Sequence, residues 1–223
     1  MNKQGDINNE DVDKIKRRKL CLIHGSMMAV PSPFKHNSVV VEQRIHGGFE
    51  SFRNEIENGR VDLFRWFDEY DPSFKSDILS PLKAYYSDRE RVKNEKLQLK
   101  LFTHLQLTMP TVIATHSKGC ELILNTFKNY GLVGSIKYII FIQSDADNVI
   151  DLKELADKFS VINIFAKDDL TLWSSVILNR GVGRHGLNAI NLNNVENIEY
   201  TSFGNHNASM NDLEIKEFIM HLL

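Results

Sequence analysis

The residues of this chain best suited to chemistry lie at positions 115–119, where the sequence reads Thr-His-Ser-Lys-Gly. The β-branched run at 111–114 predicts a buried strand, and the apolar periodicity of 120–127 predicts a helix. A serine on a tight turn between a strand and a helix lifts its hydroxyl above the sheet, where it can act as a nucleophile. The first N–H groups of the helix can stabilise an oxyanion at the same place. Ser117 is therefore a candidate nucleophile, with the backbone N–H of Lys118 as a candidate oxyanion donor.

The pentapeptide departs from the G-x-S-x-G pattern of such turns at its first position, where Thr115 stands. Threonine is β-branched and disfavours a strained turn, whereas Gly119 supplies the second small residue. A serine that only caps a helix after a buried strand also agrees with these residues. The pentapeptide by itself leaves the nucleophile and the helix cap as equal alternatives.

A serine nucleophile needs a base and an orienting carboxylate, and both are positioned by the fold. The apolar run at 159–165 predicts a strand, and Asp168 and Asp169 follow it. A second late strand is predicted at 197–203, and His206 follows that one. Hydrolases that carry the serine turn place the carboxylate and then the histidine after later strands, in this chain order.

With these features in this order, the chain from residue 19 onward resembles the α/β-hydrolase superfamily. A predicted first strand that ends at His24 and Gly25 adds to the resemblance. The family commonly has G-x-x-D after the strand that carries the acid, and residues 166–169 agree with this except for alanine in place of glycine. The resemblance therefore implies Asp169 as the first choice for the acid, with Asp168 in reserve.

The resemblance also implies the remaining parts of the site. The second oxyanion donor is expected in the loop after the first strand, with Ser26 as the first choice and Met27 in reserve. The loops at 27–48 and 170–194 are expected to line a partly apolar substrate pocket. The pocket residues that we name are Met27, Met28, His116 and Trp173.

Composition is ordinary for a globular protein, with 223 residues, of which 42% are hydrophobic and 25% charged. We expect an N-terminal lead-in at 1–18 and one domain at 19–223. A net charge of −2 gives no electrostatic case for a nucleic-acid partner. The sequence predicts no membrane span, no cofactor and no metal site, and the two cysteines and the polar N-terminus favour a cytoplasmic location. Oligomeric state is left open.

The predicted elements alternate between strands and helices, which indicates an α/β fold. We expect a doubly wound, mostly parallel sheet of about six strands with helices on both faces, as in the α/β-hydrolases. One long charged helix is predicted within 81–107. His36, His46, His104 and His221 show no partner pattern and are expected at the surface, His24 is expected to support the oxyanion loop, and His185 is a rival base that follows no convincing strand.

Three functions agree with these residues. The first is a serine hydrolase that cleaves a carboxylic ester or thioester through Ser117, His206 and Asp169. The second is a non-catalytic binding module of the same fold, which Thr115 and Ala166 favour and which would place His206 beyond hydrogen-bond reach of Ser117. The third is an acyltransferase or peptidase that uses the same triad. The sequence does not identify the substrate.

Overall fold

The computed structural model describes residues 19–25, 48–66, 80–147 and 152–223. Within these residues, six parallel strands form a single sheet in the order β2-β1-β3-β4-β5-β6. The strands are β1 (Leu20–Ile23), β2 (Asp62–Phe64), β3 (Val112–His116), β4 (Tyr138–Ile142), β5 (Ser160–Phe165) and β6 (Val195–Glu199). The predicted α/β architecture with a parallel sheet of six strands is confirmed.

Seven α-helices accompany the sheet in the described residues. They are α1 (Arg53–Glu57), α2 (Ser80–Arg91), α3 (Glu95–Thr108), α4 (Lys118–Tyr130), α5 (Lys153–Lys158), α6 (Leu170–Leu178) and α7 (Leu213–His221). Short 3-10 helices lie at Glu50–Phe52, His185–Leu187 and Ser209–Asn211. None of the helices in the described ranges has both the length and the apolar character needed to cross a membrane.

Both faces of the sheet are buried from β1 to β5, whereas the edge strand β6 is partly exposed. Side chains of β1 alternate between two cores, since Cys21 and Ile23 join one and Leu20 and Leu22 join the other. The first core is closed by residues of α3, α4 and α5, and the second by residues of α7 and of the 3-10 helices near it. Strands covered on both sides must be apolar almost throughout, which explains why their sequences show little alternation.

The register of the sheet brings the carboxyl ends of the strands to one edge. One row of paired residues crosses all six strands, and it consists of Phe64, Ile23, Thr115, Phe141, Asn163 and Asn197. Turns that follow these strands therefore meet at the same edge, where ligands bind in open parallel sheets. The polar residues picked from the sequence come from these turns.

Two predicted elements were wrong in their extent. The single helix expected within 81–107 is divided into α2 and α3, because Asn94 caps α3 by accepting hydrogen bonds from the N–H groups of Lys96 and Leu97. The last strand was expected at 197–203 but is Val195–Glu199, so a longer loop leads to His206. The lead-in at 1–18 lies outside the described residues.

Helix α4 approaches β1 closely because residue 119 is glycine. A Cβ at Gly119 would lie 2.5 Å from the backbone oxygen of His24 and 2.8 Å from Oγ1 of Thr115. Such distances are far below van der Waals contact, and the nearer atom is backbone that cannot rotate away. The glycine is therefore required for the helix to pack directly behind the end of β1.

We expect Gly119→Ala to lower the free energy of unfolding by about 1–3 kcal/mol because the methyl group overpacks this contact. For the variant to be less stable, the cost of overpacking must exceed the gain of about 1 kcal/mol that alanine brings over glycine in a helix. Urea unfolding measures the change. Gly134→Ala is the control, since a Cβ there would meet nothing within 4 Å. Equal stability of the two variants would contradict the prediction.

Candidate functional site

Ser117 occupies the turn between β3 and α4 in a conformation that is rare for a residue with a side chain. Its φ is 52° and its ψ is −124°, and a backbone of this kind costs on the order of 1–3 kcal/mol. Its N–H donates to the Ile142 oxygen over 3.1 Å, and its carbonyl accepts from Asp145 N at 3.2 Å. The Ser117 side chain makes no capping hydrogen bond to α4. The structure thus disfavours the alternative in which this serine serves only as a helix cap.

The end of β1 lies against the serine. A Cβ at Gly25 would lie 2.6 Å from the Ser117 Cβ and 2.8 Å from Nδ1 of His116. The loop expected to supply the second oxyanion donor starts at this point. Ser26, Met27 and Met28, which we named for that donor and for the pocket, lie outside the described residues.

Asp169 is completely buried and stands at the start of α6. Its Oδ1 accepts from the backbone N–H groups of Thr171 and Leu172 at 2.9 and 3.0 Å. Its Oδ2 lies 2.6 Å from Nδ1 of His206 and accepts from Nε2 of Gln143 at 2.7 Å. One carboxylate therefore caps a helix and orients an imidazole through four hydrogen bonds.

The structure brings Nδ1 of His206 to Asp169, and among the described residues the other ring nitrogen has no partner. Nε2 of His206 is buried and has no hydrogen-bond partner in the described part of the chain, so no bond joins it to the Ser117 hydroxyl. The imidazole rings of His116 and His206 lie 4.6 Å apart between centroids. The His206 ring thus stands beside the residue that precedes the serine, with an available lone pair when Nδ1 carries the proton.

Asp168 has a different role from its neighbour. Its carboxylate is exposed and accepts from the backbone N–H groups of Ser202 and Phe203 at 2.9 and 2.7 Å. The Ser202 N–H is the main reason that the pKa of Asp168 lies below its usual range. Asp168 therefore holds the loop after β6 and does not pair with His206.

The two remaining pocket candidates are placed differently. His116 is buried, and its Nε2 donates to the backbone oxygen of His206 over 2.9 Å. Trp173 is 49% exposed, and its indole N–H donates to the Lys167 carbonyl over 2.8 Å. His116 therefore supports the loop that carries His206, whereas contact of Trp173 with a substrate stays a prediction.

Lys118 directs its ammonium group into the protein interior. Nζ lies 2.8 Å from Glu121 Oε2 and 3.2 Å from Asp145 Oδ2, and the lysine is 1% exposed. Asp145 is also paired with the buried Arg184, whose Nε lies 2.9 Å away. Because the side chain is held in this network, Lys118 can serve the site only through its backbone N–H, which lies in the first turn of α4 and has no intrahelical acceptor.

Burial lowers the pKa of His116 well below its ordinary value, and the neighbouring His206 lowers it further. His116 is therefore neutral near pH 7. Because Nε2 bonds to a carbonyl oxygen, this nitrogen must carry the single ring proton. A neutral His116 places no positive charge against the ring of His206.

Sequence reasoning missed Gln143, which directly follows β4 and contacts Asp169. A polar residue after an apolar strand is the same pattern that identified Asp169 and His206, so this residue could have been found. The ion pairs around Lys118 had no comparable pattern, because Arg184 comes from an irregular segment distant in sequence.

One group in the described residues has the composition of a metal site. Ligand atoms of Cys21, Asp62 and His104 lie within 4.8 Å of one another. His104 already bonds to Asp62 through Nε2, so the expectation that this histidine has no partner was wrong. The group lies among β1, β2 and α3, apart from the turns that carry Ser117, Asp169 and His206.

Comparison with known proteins identifies no relative. No protein-family model matches the chain, and no curated protein matches it. Any statement on function therefore rests on the geometry of the site.

We expect the free energy of unfolding to fall as the pH drops from 7 to 5, in part because of His116. Its folded pKa lies below the unfolded value of about 6.5, so below that pH the unfolded chain takes up a proton that the folded one does not. The slope from this residue is up to about 1.4 kcal/mol per pH unit.

The test is urea unfolding of His116→Gln across this pH range. Glutamine keeps an N–H donor but does not titrate, so its stability should decline less steeply than that of the wild type. His221→Gln, at an exposed histidine of α7, is the control and should leave the slope unchanged. Parallel curves for wild type and His116→Gln would refute the expectation.

Proposed function

We propose that this protein is a serine hydrolase with an α/β-hydrolase-like fold that cleaves a carboxylic ester or thioester. The observation that carries the proposal is the pair of the buried Asp169 and the part-buried His206, whose Nε2 has no partner in the described residues and lies on the ring that packs beside the Ser117 turn. The strand order supports it, because the serine, the carboxylate and the histidine follow β3, β5 and β6 in the chain order typical of the family.

The proposed reaction follows from these groups. Ser117 Oγ attacks the acyl carbonyl while His206 Nε2 takes the hydroxyl proton. Asp169 holds the imidazole and stabilises the imidazolium, and the Lys118 N–H donates to the oxyanion. Collapse of the tetrahedral intermediate forms an acyl-enzyme, and His206 returns the proton to the leaving alcohol or thiol. Water then attacks the acyl group by the same route and regenerates the serine.

In the described residues no hydrogen bond joins Ser117 to His206, as expected for a non-catalytic binding module. A binding module of the same fold is therefore the second candidate function. Two observations favour the enzyme. A buried polar atom without a partner costs about 1–3 kcal/mol, so Nε2 of His206 is poised for a group that arrives. Catalytic hydrogen bonds are also often long in the absence of substrate. Among the described residues, nothing favours acyl transfer or peptide cleavage over hydrolysis of an ester.

An exposed apolar surface supports an apolar substrate. On α6, Leu170, Trp173 and Ile177 are 66%, 49% and 77% exposed and share one side of the helix. Phe203 is 91% exposed, in the loop that leads to His206. Because α6 begins directly after Asp169, this apolar surface starts at the residue next to the proposed acid. We therefore propose an ester or thioester with an apolar acyl or alcohol group.

A fluorophosphonate probe should label the wild-type protein at Ser117, since only a serine activated by a base attacks such a reagent readily. Ser117→Ala should abolish labelling, as measured by intact-protein mass spectrometry. Ser174→Ala removes an exposed serine on α6 and should label like the wild type. A folded wild-type protein that stays unlabelled would favour the binding module.

Asp169→Asn should lower kcat for a p-nitrophenyl ester by roughly 10³–10⁴-fold, because an amide can donate to His206 and so stabilise the wrong tautomer. Asp168→Asn changes the adjacent carboxylate and should retain kcat within about tenfold, since Asp168 bonds to Ser202 and Phe203 of the neighbouring loop. Circular dichroism confirms the fold of each variant. A larger loss of kcat in Asp168→Asn would contradict the assignment of the acid.

A further inference from the structure

Gln143 is a buried residue with an unusual backbone. It directly follows β4, has a φ of 41° and is 0% exposed. A side-chain-bearing residue in the left-handed region costs free energy and persists where the surrounding structure requires it. Its backbone N–H donates to the Ile164 oxygen over 2.8 Å, which ties it to β5.

A glycine fixes the main chain at this point. A Cβ at Gly186 would lie 2.3 Å from Ser144 N and 2.5 Å from the carbonyl carbon of Gln143. The Gly186 N–H donates to the Ser144 oxygen, and its own oxygen accepts from the Ala166 N–H, both over 2.9 Å. The segment around Gly186 thus lies between the ends of β4 and β5 and holds the backbone of Gln143 in place.

The amide of Gln143 has only one orientation consistent with its contacts. The Asp169 carboxylate and the Asn205 carbonyl can only accept, so Nε2 faces them, and Oε1 is left to accept a hydrogen bond from the Ser209 hydroxyl. Nε2 donates to Asp169 Oδ2 at 2.7 Å, the same oxygen that lies 2.6 Å from His206 Nδ1. Nε2 also lies 3.4 Å from the oxygen of Asn205, next to His206. The amide therefore contacts both the acid and the loop of the base.

We propose that Gln143 is a positioning residue for the Asp169–His206 pair, oriented in turn by Ser209. The inference rests on the proposed hydrolase function. Two backbone N–H groups already fix Oδ1 of Asp169, and Gln143 fixes the rotation that presents Oδ2 to the histidine. Gln143 does not touch the reacting atoms and acts through Asp169 and the loop that carries His206.

The first test compares Gln143→Met with wild type in ester hydrolysis. Methionine keeps the length of the side chain without its N–H groups, so we expect kcat to fall roughly 10- to 100-fold, the size usual for a supporting contact of this kind, with KM little changed. Ser209→Ala leaves the glutamine in place but frees its amide to rotate, and should give a smaller loss of kcat.

Gln98→Met is the matched control, because Gln98 is also buried and its amide is also bonded on both sides, to Val92 and Asn129. It lies on α3 and contacts neither Asp169 nor His206. The control should lose stability to urea much as Gln143→Met does, while kcat stays near that of the wild type. If the two variants show equal kcat, the proposal is wrong.

A second readout does not depend on activity. The Nδ1–H proton of His206, bonded to a carboxylate, should give a strongly downfield resonance in the proton NMR spectrum of the wild type. Gln143→Met should shift or broaden it, and Gln98→Met should not. An unchanged resonance in Gln143→Met overturns the positioning role. A wild type that shows the resonance but neither labels nor hydrolyses esters would instead contradict the hydrolase function.

Discussion

The buried carboxylate of Asp169 is the interaction on which the candidate site depends. A charge removed from water is tolerated only when its oxygens are fully hydrogen-bonded, and the donors here come from the end of β4, from the loop after β6 and from the first turn of α6. The same contacts hold three loops at one edge of the sheet. The carboxylate fixes the start of α6 at Leu170 by capping the helix. It also fixes the orientation of the His206 ring by bonding to Nδ1.

The other half of the site is built by close packing. Gly25 and Gly119 allow the end of β1, the turn at Ser117 and the start of α4 to approach within distances that a side chain would prevent. A buried network that includes Lys118 and Asp145 then fixes the first turn of the helix from behind. The energetic cost of the positive φ at Ser117 is offset by these surroundings, as is usual for strained residues at functional sites.

The two halves meet at the histidines. The Nε2 of His116, which directly precedes the serine, donates to the backbone of His206, and the two rings are in contact. Burial keeps His116 neutral, so it can pack against a second imidazole without repulsion between like charges. His116, which sequence reasoning placed in the substrate pocket, therefore aligns the loop of His206 with the turn at Ser117.

The sequence by itself determined the class of fold and named polar residues for the candidate site. Apolar runs mark strands that are buried on both faces, and parallel strands bring the residues after their carboxyl ends together, so Ser117, Asp169 and His206 could be named without coordinates. The start of α3 could not be predicted from the sequence, because charged residues continue the helical pattern through the break. Only the structure showed that Asn94 caps this helix.

Tertiary structure alone decided which contacts those residues make. Asp168 and Asp169 both closely follow β5, so the sequence could not decide which of them pairs with the histidine. In the folded chain Asp168 bonds to Ser202 and Asp169 bonds to His206. The bond between Asp62 and His104 and the role of Gln143 joined residues distant in sequence, whose pairing depends on strand order and register. The local pattern of apolar residues indicates which side chains face inward. The partner of each buried polar group, however, depends on how the helices and strands pack.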